Sequence, residues 1–232
     1  MKYTTLLMDA DDTIFDFPKC EKEALRKSLE YYGLEFSDEI NRNFSSINSA
    51  LWKQFEKNRI TRSELRVRRF RELIEKCFEG FSDADMLADR YVEELSHQGI
   101  LLPGSEEALK LLSEYFEIDI ITNGLKTVQR GRFSKTHITK YINKIYISDE
   151  IGMNKPQKVF FDYVLGDLKE KNSSKILVVG DSLTSDMQGG RNAGLDTCLF
   201  DPEDKVKMPD ILCDYKIKRL EEIMELACEE NK

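Results

Sequence analysis

Five short apolar runs, rich in β-branched and aromatic residues, constrain this chain most: 3–8, 117–121, 144–147, 175–179 and 196–200. Each is near-continuous rather than alternating, as in strands buried on both faces of a parallel sheet. Segments of helical period, at 125–139, 156–170 and 184–193, separate the last four. This strand–helix–strand rhythm predicts an open, doubly wound α/β sheet of Rossmann type. Gly194 reads as a helix C-cap, and Ser105 as the N-cap of a helix over 106–115.

The rhythm breaks between the first and second runs. Residues from about 18 to 97 carry helical periodicity and no strand, with spacings such as Leu65, Phe70, Leu73, Ile74 and Phe78. Phe17-Pro18 and Leu102-Pro103-Gly104 bracket the region as loop signals. The reading is an all-helical insert of about four helices, a cap over 17–98, set into an α/β core of 1–16 and 99–232. Residues 219–232 read as a last helix with a polar tail.

The 232 residues are 41% hydrophobic and 34% charged, enough to fold and stay soluble. No apolar run nears the ~18–20 residues that cross a membrane, and the N-terminus meets Asp9 too soon for a signal peptide. Five cysteines without a C-x-x-C pair suggest reduced thiols in a cytoplasmic protein. Two histidines leave little for a His-ligated metal or Ser-His catalysis. The formal charge of −8 argues against nucleic acid or an anionic membrane as partner. A small anion would need a local positive site. Nothing in the sequence speaks to oligomeric state.

Ligands of open α/β sheets bind at the carboxyl ends of strands. Four of the five runs lead there into polar groups: Asp9-Ala10-Asp11-Asp12-Thr13, Thr122-Asn123-Gly124, Asn154-Lys155-Pro156, and Gly180-Asp181 with Asp186 beyond. Asp9 and Asp11 are two apart, so on extended backbone they point the same way. Asp181 and Asp186 add two more carboxylates. Two such charges about 4 Å apart repel by roughly 4 kcal/mol at an effective dielectric near 20. The cluster must therefore take up protons or hold a cation. Oxygen ligands without His or Cys favour Mg²⁺. Lys155 brings positive charge, and Thr122 and Asn123 offer hydrogen-bond donors to phosphate oxygens.

The ordered set DxDxT, strand-end Thr-Asn-Gly, Lys-Pro and GDxxxxD resembles the four motifs of the haloacid dehalogenase superfamily, and the helical insert resembles its helical-cap type. Within it, Thr13-Ile14-Phe15-Asp16-Phe17, Ile47-Asn48-Ser49-Ala50-Leu51-Trp52 and Ser185-Asp186-Met187-Gln188-Gly189-Gly190 are similar to the branch that hydrolyses pyrimidine nucleoside 5′-monophosphates. N-acylneuraminate-9-phosphate phosphatases share much of this pattern. The resemblance implies Asp9 as nucleophile and Asp11 as general acid and then base, its main-chain carbonyl touching the metal. It implies Thr122 and Lys155 on the phosphoryl oxygens and Asp181 on the metal. Asp186 would bind the metal, orient Lys155 or cap a helix. An acid at position 11 favours a phosphatase over a dehalogenase.

In the cap, Trp52 either stacks on a base or fills the core. Asn48, on the same helical face, meets a base edge or water. Phe15 and Phe17 wall the pocket or pack the linker. The basic run Arg59, Arg62, Arg66, Arg68, Arg69, Arg71 reads as a solvated face balanced by Glu64 and Glu72. The function expected is a Mg²⁺-dependent phosphatase, a 5′-nucleotidase on pyrimidine nucleotides. Its alternatives are a sugar-phosphate or N-acylneuraminate-9-phosphate phosphatase and a non-catalytic aspartyl-phosphate switch. The length, the insert and Asp11 stand against the switch.

Overall fold

A computed structural model describes residues 1–57, 59–207 and 212–228. Among them, six strands form one parallel sheet: β1 (Thr5–Met8), β2 (Glu117–Thr122), β3 (Lys144–Ile147), β4 (Ile176–Gly180), β5 (Asp196–Phe200) and β6 (Tyr215–Ile217). Their order is β3-β2-β1-β4-β5-β6, so the chain winds outward both ways from a central β1. All four residues of β1 are buried, which is why its sequence shows no alternation. β6 escaped the sequence reading because three residues carry no periodic signal.

Helices cover both faces. α1 (Phe17–Tyr31), α2 (Asp38–Glu56), α3 (Arg62–Cys77) and α4 (Ala84–Ser96) make up the insert. α5 (Ser105–Leu112), α6 (Lys126–Ser134), the single turn α7 (Ser148–Ile151), α8 (Lys158–Asp167), α9 (Gln188–Asn192) and α10 (Ile223–Cys228) belong to the sheet layer. Several are shorter than their periodicity suggested. The segment 125–139 divides into α6 and a 3₁₀ turn at Ile138–Tyr141, and 184–193 into a π turn at Leu183–Met187 and α9. Ser105 is not a cap: α5 begins on it, after Gly104 in the left-handed region at φ 83°, with no side-chain cap bond. The last helix spans Ile223–Cys228, and residues 229–232 lie outside the described part. Gly194, at φ 72°, follows α9 as a C-terminal glycine should.

One face of the sheet packs Leu6, Met8, Ile118, Ile120, Leu177 and Val179 against α5 and α10. The other packs Leu7, Ile121 and Val178 against Phe160, Phe161 and Val164 of α8. The cap has its own core, in which Phe44, Phe70 and Tyr91 rings pack at centroid distances of 5.1–5.2 Å. Its caps are local: Asp16 for α1, Ser37 for α2, a Thr61/Glu64 capping box for α3 and Asp83 for α4. The chain leaves and returns side by side, since Asp16 N–H donates to the Ile100 carbonyl and Leu102 N–H to that of Ile14. Among the described residues, no helix is long and apolar enough to cross a membrane.

Register sets the site. Met8 lies level with Ile120 and with Val179, and Thr122 with Ile147. The residues that follow therefore emerge along one edge. The α9 layer above β4 and β5 is tight enough to test. A Cβ on Gly190 would sit 2.6 Å from the Thr197 methyl and 3.1 Å from a Val178 methyl. Gly190→Ala is expected to cost about 1–3 kcal/mol. Thermal melting should show a Tm several degrees lower, and an unchanged Tm would mean that this layer is looser than described.

Candidate active site

β1 ends in a tight turn. Ile14 and Phe15 N–H groups both bond the Ala10 carbonyl, and Asp12 N–H bonds the Phe15 carbonyl. Asp12 takes φ 60°, a region that tolerates Asp better than bulkier residues. The turn presents Asp9 and Asp11 to one cleft of about 440 Å³. Asp9 is buried, with its N–H on the Val179 carbonyl.

Lys155 holds the floor together. Its side chain is 1% exposed, and the ammonium donates to Asp9 Oδ1 at 2.5 Å, Asp186 Oδ1 at 2.6 Å and the Ile121 carbonyl at 2.8 Å. All three of its protons are engaged. Asn123 positions it: the side-chain carbonyl accepts from Lys155 N–H and the side-chain amide donates to the Lys155 carbonyl, both at 2.9 Å. One of the two amide protons that sequence reasoning offered to phosphate is thus spent on backbone. Thr122 Oγ1 accepts from Gly124 N–H and from Gln129 Nε2, each at 3.1 Å. A hydroxyl accepting two bonds keeps its own proton for a third partner.

Asp186 is fully buried, and its second oxygen accepts from Ser182 N–H at 3.1 Å. It lies directly against the end of β4: a Cβ on Gly180 would fall 2.3 Å from Asp186 Oδ2. Carboxylate oxygens of Asp9, Asp181 and Asp186 lie within 4.8 Å of one another. Burial above all, then the Asp186 and Asp11 charges, push the Asp9 carboxyl up to about 8, outweighing Lys155. Burial and the Asp9 charge raise Asp181 well above the usual carboxylate range. Burial also pushes Asp12 up to about 7. Three carboxylates against one ammonium leave two negative charges, which one divalent cation balances. The donor set is all oxygen, and it fits Mg²⁺. The Asp11 carboxylate stands outside this trio, bonded to Gln129 and Arg132.

The cap supplies the opposite wall. Phe17 and the half-buried Trp52 both line the cleft, and Trp52 meets Phe55 edge-on at 5.6 Å. Phe15 packs below, against Phe133. Asn48 is buried in the wall of the cleft. It donates to Glu21 Oε2 at 2.6 Å and accepts from Arg69 Nη1 at 3.2 Å. Ser45 holds the other Glu21 oxygen at 2.5 Å. The expectation of a uniformly solvated basic face fails at two residues. Arg69 is buried among the Phe44, Phe70 and Tyr91 rings. Arg62 donates to the carbonyls of Asn123 and Gly124 and to Ser148 Oγ, tying cap to core. Sequence reading missed Glu21, Gln129 and Arg132. The available signal was a Gln and an Arg three apart on the buried stripe of α6, where apolar residues belong.

A doubly wound sheet, a helical cap and an acid-lined cleft with a buried lysine at the strand ends define a capped α/β hydrolase. The chain belongs to the haloacid dehalogenase-like hydrolase family, whose model matches residues 6–200. It is 34% identical to the HAD-hydrolase YfnB of Bacillus subtilis over 231 residues, 99% of this chain and 97% of that protein. The pyrimidine 5′-nucleotidase PynA of Streptococcus pneumoniae is 34% identical over 87% of this chain and 85% of its own. The pyrimidine 5′-nucleotidase YjjG of Escherichia coli is 29% identical over 98% and 99%. A crystal structure of YfnB, described as bound to magnesium and revealing interdomain movement, superposes with a TM-score of 0.92 at 33% identity, covering 99% of this chain and 100% of that one.

The acid trio yields a prediction that needs no substrate. With its carboxyl near 8 in the metal-free fold, Asp9 keeps a proton that the unfolded chain loses near pH 4. Metal-free stability therefore falls as pH rises from about 4 towards 8. A divalent cation binds the deprotonated folded site, so Mg²⁺ should raise Tm more at pH 8 than at pH 5.5. Asp181→Asn should remove most of that shift. Equal shifts at both pH values would contradict this electrostatic reading.

Proposed function

We propose that this hydrolase is a Mg²⁺-dependent phosphomonoesterase that passes the phosphoryl group from a pyrimidine nucleoside 5′-monophosphate to Asp9 and then to water. The observation that carries the reading is the Asp9 carboxylate, aimed by Lys155 at 2.5 Å and set beside a second acid, Asp11, in the same cleft.

Lys155 fixes one Asp9 oxygen, leaving the other to attack phosphorus. Thr122 donates its free proton to a phosphoryl oxygen. Asp11 gives a proton to the departing oxygen as the P–O bond breaks. As carboxylate, Asp11 then takes a proton from the water that hydrolyses the aspartyl-phosphate. Asp9, Asp181 and Asp186 would hold Mg²⁺, with the Asp11 main-chain carbonyl beside them as the family pattern implies. Bound there, the ion would offset the repulsion between acids and phosphate. Asp186 also holds Lys155 in line. Closure of the cap would exclude bulk water from the cleft.

The substrate assignment is supported by the similarity to the pyrimidine 5′-nucleotidases PynA and YjjG and by the wall opposite the acids. Phe17 and Trp52 give a flat base an aromatic surface, and Glu21 with Asn48 gives polar atoms to its edge or sugar. No macromolecular partner is required.

A screen of UMP, dUMP, TMP and sugar phosphates, with Asp9→Asn as blank, tests both levels. Pyrimidine nucleotides should give the highest kcat/KM, and the blank should lose at least about a thousandfold, as for other nucleophile deletions. Preference for sugar phosphates would overturn the substrate class. Undiminished turnover by Asp9→Asn would overturn the chemistry.

A further inference from the structure

α6 sends two buried polar side chains to a single target. Gln129 Nε2 donates to Asp11 Oδ2 at 2.7 Å, and Arg132 Nη1 donates to Asp11 Oδ1. Three residues apart on one helix face, they grip opposite oxygens of the same carboxylate. Two such holds block rotation about the last side-chain torsion, which a single bond would permit. The Asp11 side chain is 27% exposed and lines the cleft, and each of its oxygens has a second lone pair.

Neither partner is there for ordinary packing. The Arg132 guanidinium is fully buried, and burying a charge is costly unless it is paired and hydrogen-bonded. It is held on its other sides as well: Nε donates to the Gln98 carbonyl at 3.1 Å, Nη2 reaches Cys20 Sγ at 3.5 Å, and the Phe15 ring lies 4.1 Å from its centre. Gln129 divides its amide between Asp11 and Thr122, while its own carbonyl oxygen, Oε1, is buried with no partner among the described residues. An unpaired buried acceptor costs about 1–3 kcal/mol. The opposite orientation would set that oxygen against a carboxylate. The amide is thus held in place by the acid it serves, and it links the acid to the Thr122 hydroxyl.

We infer that Gln129 and Arg132 are positioning residues that clamp Asp11 in line with the leaving oxygen, so that loss of the clamp slows the enzyme in proportion to how badly the leaving group needs a proton. This rests on the phosphatase reading. In the step concerned, an Asp9 oxygen bonds phosphorus, the phosphorus–oxygen bond to the leaving group breaks, and the Asp11 proton goes to that oxygen. A nucleoside leaves as a weakly acidic alcohol and needs that proton. p-Nitrophenolate leaves readily without it.

The test compares kcat/KM, which reports on the steps up to the phosphoenzyme, for UMP and p-nitrophenyl phosphate in wild type, Arg132→Lys, Gln129→Leu and Asp11→Asn. General acid catalysis is worth about 10²–10⁴-fold. Arg132→Lys should lose about 10–100-fold on UMP and less than about threefold on p-nitrophenyl phosphate, a muted form of the Asp11→Asn pattern. Gln129→Leu should shift the same ratio less. If melting shows that Arg132→Lys does not fold, Gln129→Leu decides alone. Equal losses on both substrates, or an unchanged ratio, would mean a purely structural salt bridge and overturn the inference. A wild type inactive on both substrates would instead sink the phosphatase reading and the clamp with it.

Discussion

The ammonium of Lys155, bonded at once to Asp9, Asp186 and the Ile121 carbonyl, is the contact on which the rest of this site depends. It joins the ends of three strands that the sequence keeps far apart. It makes two buried carboxylates tolerable, and it leaves their surplus charge for a divalent ion. A buried charge stripped of its partner typically costs about 3–5 kcal/mol. The surroundings are built to keep this one in place. Asn123 clasps the Lys155 backbone from β2, and Gly180 leaves room for the Asp186 carboxylate against β4.

The sheet was largely legible because burial on both faces leaves a direct imprint. The stretch 176–179 is apolar throughout, and what breaks such runs marks the edge where ligands bind. Four helices could be counted in the insert because amphipathic periodicity survives over three or more turns. Short elements left no such trace. The three residues of β6 and the π turn before α9 depend on tertiary contacts that no local pattern encodes. Ser105 looked like a cap, but the Pro103-Gly104 turn moves the helix start onto it.

For the site, spacing within one segment was readable and pairing between segments was not. Asp9 and Asp11 lie two apart just past the end of β1, and both line the cleft. Yet they serve different neighbours: Asp9 joins the acid trio, and Asp11 turns to α6. Asn48 was visible as a polar residue near Trp52. Its bonds to Glu21 and Arg69, from two other helices, were not. Arg62 read as one charge in a basic run, whereas it docks on the Asn123 and Gly124 carbonyls and ties the cap to the loop after β2.

The central claim is that Asp9, aimed by Lys155, bonds phosphorus. The most direct measurement is acid quenching during turnover of a phosphomonoester with Mg²⁺, followed by mass spectrometry of the peptides. The account predicts one phosphoryl group on the peptide bearing Asp9, removed by hydroxylamine as an acyl phosphate should be. A phosphoryl group found on another residue, or none at any time during turnover, would contradict it.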